Sequence, residues 1–129
     1  MRILIMGGDA MIGHQLLRQW RNRHDVRVTL RRKHTAYAEF GGLFTEQNTY
    51  CGVDVICSED LMSVFADFHP QAVINTAGIV KQQAAAKASI PSLEINALFP
   101  HRLALLCKAA EARLVHLSTD CVFSGRTGN

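Results

Sequence analysis

The sequence predicts an α/β protein with a doubly wound parallel sheet between two layers of helices, a three-layer α/β/α architecture. Two observations predict this fold class. Short apolar runs recur along the 129 residues, and segments with helical spacing of their apolar residues separate these runs. Alternation of strands and helices implies parallel strands joined by right-handed crossovers, with helices on both faces of the sheet. We therefore expect the strand order 3-2-1-4-5.

The predicted strands are short, rich in Val, Ile or Leu, and apolar on both faces, as is typical of strands buried between two layers. Ligands of open parallel sheets bind beyond the carboxyl ends of the strands, so the residues that follow these strands are candidate site residues. Five segments have the pattern: Arg2–Met6, Val26–Leu30, Val53–Ile56, Ala72–Asn75 and Leu114–Ser118.

Three helices are expected between these strands. Apolar residues at intervals of three to four predict the first over Met11–Asn22. Ser58 is the expected N-cap of the second, which covers Glu59–Phe68. The third is expected over Ser92–Ala112, with a kink at Pro100 because proline removes a helical hydrogen bond.

Two stretches lack a regular pattern. Lys33–Thr49 is expected to be a loop with at most one short helix. Lys81–Lys87 is compatible with two interpretations, a mobile segment over the ligand site or an ordinary helical connector.

The composition predicts one globular domain over residues 1–129, with 48 % hydrophobic and 19 % charged residues. A net charge of +3 is too small to indicate a nucleic-acid partner. The apolar stretch near the N-terminus is short, without the layout of a signal peptide, and no stretch approaches the roughly 18 apolar residues of a membrane span. We therefore expect a cytoplasmic protein with neither a membrane nor a nucleic acid as partner.

The metal-ligating residue types are scattered along the chain. The four cysteines show no C-x-x-C spacing, and the six histidines form no H-x-x-x-H pair. Zinc sites and thioredoxin-like motifs depend on such spacings, so no metal site is expected.

The strongest local signal is a glycine-rich turn between the first predicted strand and the first predicted helix. In this context the spacing predicts the dinucleotide-binding turn of a Rossmann fold. Gly7 lets the chain reverse, the small side chain of Ala10 leaves room for a pyrophosphate, and Gly13 lets the helix pack closely. The free N–H groups of the helix face the anion. The alternative is a tight turn without a ligand. The predicted NAD(P)-binding residues are Gly7, Asp9, Ala10, Met11, Ile12 and Gly13.

The residues after the second predicted strand favour NADP over NAD. An NAD site usually has an acidic residue there, which binds the ribose hydroxyls. This chain has Arg31 and Arg32 instead. Two guanidinium groups fit a 2′-phosphate in forked geometry. NAD remains possible, since the arginines are also compatible with a purely solvated sheet edge.

Four motifs recur in one known family: Gly7-x-x-Ala10-x-x-Gly13, Asn75–Gly78, Asn96 and Ser118–Gly125. Together they resemble the extended short-chain dehydrogenases/reductases of the epimerase/dehydratase superfamily, most nearly the dTDP-4-dehydrorhamnose reductase group. The final motif is similar to the S-T-D-Y-V-F-D-G segment of that group, but has Cys121 in place of tyrosine and Ser124 in place of aspartate. The resemblance covers essentially the whole chain and implies reduction of the 4-keto group of a nucleotide-linked deoxysugar.

The resemblance also implies roles for residues at the ends of the third and fourth strands. Asp54 and Val55 would flank the adenine, and Thr76, Ala77 and Gly78 would line the ribose and phosphate side of the cofactor. Two simpler interpretations stay open. Asp54 is also suited to capping the following loop, and the fourth-strand motif is also suited to ending a strand.

By the same resemblance, Asn96 steadies the site and Thr119 is the catalytic hydroxyl that hydrogen-bonds the substrate carbonyl. The family places its proton donor in a Y-x-x-x-K pair. The two tyrosines, Tyr37 and Tyr50, have no lysine four residues later. We therefore expect residues 1–129 to be the cofactor-binding part of a longer enzyme, without the catalytic helix and substrate domain.

Two other functions are compatible with the same motifs. A nucleotide-sugar epimerase or dehydratase uses the same fold, and a non-catalytic dinucleotide-binding module needs no Y-x-x-x-K pair. The expected partner is a nucleotide-sugar substrate. An exposed sheet edge also makes a homo-oligomer possible.

Overall fold

The computed structural model describes residues 1–80 and 88–119, which form a parallel sheet with helices on both faces. Lys81–Lys87, and the part of the final motif from Asp120 onwards, lie outside the described residues. The strands are β1 Arg2–Met6, β2 Asp25–Leu30, β3 Thr49–Cys51, β4 Ala72–Asn75 and β5 Arg113–His116. The helices are α1 Met11–Trp20, a 3₁₀ segment His34–Phe40, α2 Ser58–Phe68, α3 Ser89–Leu93, a π segment Glu94–Leu98 and α4 Phe99–Ala109.

The sheet has the order β3-β2-β1-β4-β5, and every neighbouring pair is parallel. Ile3 of β1 pairs with Val26 on one side and with Ala72 on the other. The fold class and the strand order predicted from the sequence are both confirmed.

The alternation of side chains along β1 separates two hydrophobic cores. Leu4 and Met6 pack on the face that α2 and α4 cover, together with buried residues such as Phe99. Ile3 and Ile5 pack on the opposite face, which α1 and the segment before β3 cover. Both faces of the strand are therefore buried, which explains why it has no polar alternation.

The third strand differs from the prediction. It covers Thr49–Cys51, and not Val53–Ile56. Gly52 has a φ of +73°, and this left-handed conformation interrupts the strand. The Val53 N–H still donates to the Leu30 carbonyl at 3.1 Å, and its side chain is buried in the core. The apolar run Val53–Ile56 therefore follows the paired strand and packs against the core, whereas β3 itself lies just before this run.

The helix boundaries also differ from the prediction. Ser58 is the first residue of α2, and Cys57 occupies the N-cap position without a side-chain cap. The predicted third helix begins earlier, at Ser89, and contains the π segment directly before Pro100. Proline at the start of α4 lacks the N–H of a regular helical turn, and a π segment is one way to accommodate it. Among the described residues, no helix is long and apolar enough to cross a membrane.

Gly13 allows the closest contact between α1 and the sheet. A Cβ atom at this position would collide with the Gly7 carbonyl oxygen and would lie 2.9 Å from Thr76 Oγ1. Both obstacles belong to the ends of central strands and cannot move independently. The packing role predicted for Gly13 therefore has a direct steric basis.

We expect Gly13→Ala to lower the free energy of unfolding by about 1–3 kcal/mol, the usual range for overpacking. Helix propensity alone would make the alanine variant more stable than the wild type, so a decrease in stability indicates the steric conflict. Urea denaturation measures it, with Gln19→Ala on the exposed face of α1 as control. Equal stability of Gly13→Ala and the wild type would contradict the packing role.

A polar cluster connects β2, β3 and α2. Arg27 Nη1 donates to the Tyr50 hydroxyl at 2.7 Å and forms an ion pair with Asp67 at 3.2 Å. Tyr50 in turn donates to Asp67 Oδ2 at 2.5 Å. The Arg27 guanidinium carbon lies 4.8 Å from the centroid of the Phe68 ring. Burial, with the hydrogen bond to Asp67, raises the pKa of Tyr50 to about 12.

This cluster predicts a stability change at high pH. The pKa of Tyr50 is higher in the folded chain than the usual value of 10.0. Its contribution is therefore fully present below pH 10 and is lost as the pH rises towards 12. We expect the stability difference between the wild type and Tyr50→Phe, measured by denaturant unfolding, to shrink across this interval. A difference that stays constant would show that Tyr50 does not titrate in this way.

Candidate functional site

A cleft opens at the carboxyl edge of the sheet, where the chain connections from β1 and β4 diverge to opposite faces. Residues that follow four different strands line it, as expected for an open parallel sheet. Eight of the predicted site residues are among them: Gly7, Asp9, Ala10, Arg31, Val55, Thr76, Ala77 and Gly78. The sequence analysis did not identify four others, Thr29, Val53, Ile79 and Ile95.

The glycine turn is anchored from β2. Gly7 has a φ of +82°, and a Cβ atom there would lie 3.0 Å from the Ala77 backbone. Its N–H donates to the Thr29 hydroxyl at 3.1 Å, and the Gly8 N–H donates to the Thr29 carbonyl at 2.9 Å. Thr29 is only 2 % exposed. No local sequence pattern marks this anchor, since Thr29 holds a turn that lies 22 residues earlier in the chain.

Thr76 holds the turn from the other side. Its hydroxyl lies 2.7 Å from the Met6 carbonyl oxygen and 2.8 Å from that of Gly7, and it shares its one proton between them. The side chain therefore ties the end of β4 to the end of β1. This contact occupies the hydroxyl as a donor, so Thr76 shapes the cleft through the turn that it holds.

The N-terminus of α1 carries no protein side chain as a cap. Ala10 is the N-cap residue, with extended backbone angles of −64° and 152°, and the first turn has no acidic residue. The first N–H groups of a helix lack intrahelical acceptors. Met11 and Ile12 are 79 % and 45 % exposed and are not among the described residues that line the cleft, so the role predicted for them depends on their backbone amides. An anion fits this turn because the free amides and the helix dipole both favour negative charge.

The two predicted arginines have different surroundings. Arg31 lines the cleft. The guanidinium carbon of Arg32 lies 5.3 Å from the centroid of the Tyr37 ring, in a cation–π contact. Tyr37 belongs to the 3₁₀ segment and is itself buried. Of the two arginines, Arg31 lines the cleft, while Arg32 packs on the Tyr37 ring.

Asp54 does not lie at the end of the third strand as expected, since β3 ends at Cys51. Its carboxylate accepts the Ile56 N–H at 3.1 Å, and its own N–H donates to Asp60 at 2.9 Å. Asp54 therefore caps the loop before α2, the simpler of its two interpretations. Its neighbour Val55 does line the cleft.

Asn96 holds the loop that follows β4. Its Oδ1 accepts the Ile79 N–H at 2.8 Å, and its Nδ2 donates to the Ile79 carbonyl at 2.9 Å. The amide thus satisfies both polar groups of one residue in the cleft wall. Asn96 lies in the π segment, next to the cleft residue Ile95. Single π turns in helices are frequent at functional sites.

Thr119 lies outside the cleft lining; it is exposed and follows β5 by three residues. One histidine lies near the glycine turn. His14, in the first turn of α1, is half-buried, with Nδ1 2.9 Å from the Ala10 carbonyl oxygen and its ring edge-on to Phe40. In the part of the chain that the structure describes, no group of three or more His, Cys, Asp or Glu residues is suited to holding a metal ion.

The sheet order and the cleft at its carboxyl edge define a Rossmann-type α/β domain. The sequence model of the RmlD substrate binding domain family matches residues 1–129, and the chain belongs to this family. A comparison with curated proteins found no match.

Solved structures with the same fold include enzymes of nucleotide sugars. The UDP-glucose 4-epimerase of Thermus thermophilus, in complex with NAD, has 24 % identity and a TM-score of 0.77 over 92 % of this chain and 38 % of that chain. The dTDP-4-dehydrorhamnose reductase of Bacillus anthracis, in complex with NADP, has 22 % identity and a TM-score of 0.69, covering 96 % and 38 %. A dTDP-4-dehydrorhamnose reductase from Clostridium acetobutylicum has 23 % identity and a TM-score of 0.71, over 98 % of this chain and 39 % of that chain. The chain thus spans less than half the length of these structures.

We expect Thr76→Val to destabilise the turn, because valine keeps the shape of the side chain and removes the hydroxyl donor. The free energy of unfolding should fall by about 1 kcal/mol, the net contribution of one hydrogen bond. Thr76→Ser keeps the donor and should retain most of this stability. Urea denaturation of both variants tests the assignment, and a Thr76→Val chain as stable as the wild type would refute it.

Proposed function

We propose that this chain binds NADP(H) and is the cofactor-binding part of an enzyme that reduces a nucleotide-linked 4-keto-deoxysugar. The observation that carries the proposal is the uncapped N-terminus of α1, held at the glycine turn and facing a cleft that Arg31 lines. Membership of the RmlD family and the names of the structural relatives support the substrate class.

In this proposal the peptide amides around the glycine turn bind the pyrophosphate. Val55 contacts the adenine, while Ala77 and Gly78 line the ribose and phosphate side; all three line the cleft. Arg31 binds the 2′-phosphate, because a guanidinium donates two parallel hydrogen bonds to a phosphate. Arg32 contributes through its contact with Tyr37, which limits the positions open to the neighbouring loop.

The chemistry divides between cofactor and chain. The bound nicotinamide supplies the hydride. Thr119, which follows β5 at the carboxyl edge of the sheet, orients the substrate carbonyl through its hydroxyl, and Asn96 holds the nearby loop through Ile79. A threonine hydroxyl is a poor proton donor at neutral pH, so proton delivery needs a stronger acid. We therefore propose that residues 1–129 alone bind cofactor and show no reductase turnover.

A second candidate is a nucleotide-sugar epimerase, favoured by the structural likeness to the UDP-glucose 4-epimerase solved with NAD. Epimerases regenerate their nicotinamide within each turnover. Tight retention of NAD through purification would favour this candidate, whereas exchangeable NADPH would favour the reductase.

Calorimetric titration of the chain with NADPH and with NADH tests the cofactor assignment. We expect weak binding, with NADPH preferred. Arg31→Gln should lower the affinity for NADPH by about tenfold, the effect of one hydrogen bond to a charged group, and leave that for NADH unchanged. Arg32→Gln is the matched control and should change the preference less, because its guanidinium packs on Tyr37.

Two results would contradict the proposal. A preference for NADH in the wild type would show that the basic residues after β2 do not bind a 2′-phosphate. Binding of neither dinucleotide at millimolar concentration would reject the cofactor site itself.

A further inference from the structure

A buried amide connects the last two strands beside the cleft. Asn75, the final residue of β4, is 1 % exposed. Its Nδ2 lies 3.1 Å from Nδ1 of His116, the residue that pairs with it on β5. Its Oδ1 accepts the Ala77 N–H at 3.1 Å. One side chain thus joins a strand-end histidine to the loop that lines the cleft.

The bond to Ala77 determines which nitrogen of the neutral His116 ring carries the proton. A backbone N–H only donates, so the amide atom that faces Ala77 must be the oxygen. The Nδ2 atom then faces His116 and must donate to its ring. His116 Nδ1 is therefore the unprotonated nitrogen, and the ring proton lies on Nε2. A proton on Nδ1 would place two donors face to face, and the Asn75 amide cannot rotate without losing Ala77.

The surroundings of His116 leave this pair as its main polar contact in the described residues. Among residues 1–80 and 88–119, no carboxylate oxygen lies within 4.0 Å of its ring nitrogens. β4 carries no titratable residue, and Arg113 lies at the opposite end of β5. The titratable residues of α4, which packs on β5, are His101, Arg102, Cys107 and Lys108; of these only Cys107 is buried, and burial raises its pKa to about 11, so it is neutral.

We propose that His116 is a positioning residue for the cofactor cleft, acting through Asn75 on the Ala77 amide. While the His116 ring accepts from Asn75 Nδ2, the amide keeps both hydrogen bonds and the loop after β4 holds its place. Without an acceptor at position 116, the Asn75 amide loses the bond that fixes its orientation towards Ala77. The effect on cofactor binding rests on the function proposed above, whereas the coupling to Ala77 does not.

The side chain of His116 is exposed, so its replacement tests the coupling without disturbing the core. His116→Gln offers Oε1 as an acceptor for Asn75. His116→Phe removes the acceptor. His101→Gln, on the exposed side of α4, is the control for loss of a histidine.

The first readout needs no cofactor. Nitrogen-15 NMR of the wild-type chain should show the Nε2–H form of His116 at pH 7.5. The Ala77 amide resonance should keep its wild-type position in His101→Gln and in His116→Gln, and should be displaced in His116→Phe. A Nδ1–H tautomer, or an Ala77 resonance that His116→Phe leaves in place or that both His116 variants displace equally, would overturn the proposal.

The second readout is the affinity for NADPH at pH 7.5. It should fall about fivefold in His116→Phe, the effect of one net hydrogen bond, and be retained in His116→Gln. Equal affinities of His116→Phe and the wild type would reject the effect of His116 on the cleft. If no variant binds NADPH while the Ala77 resonance still moves in His116→Phe alone, the proposed function fails and the coupling stands.

Discussion

The cleft depends on the close approach of α1 to the end of β1. At Gly13 the helix backbone comes so near to the Gly7 carbonyl that a single methyl group has no room. Thr76 shares its hydroxyl proton between the Met6 and Gly7 carbonyls and so fixes the same point from β4. Because α1 and the ends of β1 and β4 are in close contact here, the backbone amides of the turn are held in one arrangement. A preorganised site of this kind spends little binding energy on ordering the protein.

The sequence predicted best where local and tertiary requirements agree. In β1 the apolar run, the following glycines and the helical spacing all indicate one strand–turn–helix unit, and its bounds were predicted to the residue at the strand. The order of the strands followed from this alternation together with the usual strand order of doubly wound folds. The cleft followed from the general position of ligands in parallel sheets, and eight predicted residues do line it.

The prediction was wrong where the local sequence pattern and the tertiary packing indicate different structures. β3 pairs through Thr49, Tyr50 and Cys51, whose side chains do not form an apolar run, because an edge strand is covered on fewer sides. The run after it packs into the core once Gly52 has turned the chain, which moved Asp54 away from the strand end. The π segment was equally hidden, since its residues have ordinary helical spacing. Thr29 and the Ile79 pairing depend on partners distant in sequence, and no local pattern encodes them.

The charges that line the cleft impose a further constraint on any anionic ligand. Among the described residues, two ionisable side chains line it, those of Asp9 and Arg31, with opposite signs. Asp9 directly precedes the N-terminus of α1, so its carboxylate competes with a bound anion for the positive end of the helix dipole. The turn alone is therefore a weaker anion site than one with an uncharged residue at this position. Arg31, at the end of the neighbouring strand β2, supplies a positive charge that offsets the effect of Asp9. A ligand with a second anionic group within reach of Arg31 therefore binds this cleft more tightly than a ligand without one. This charge balance supports the proposed preference for the more highly phosphorylated dinucleotide.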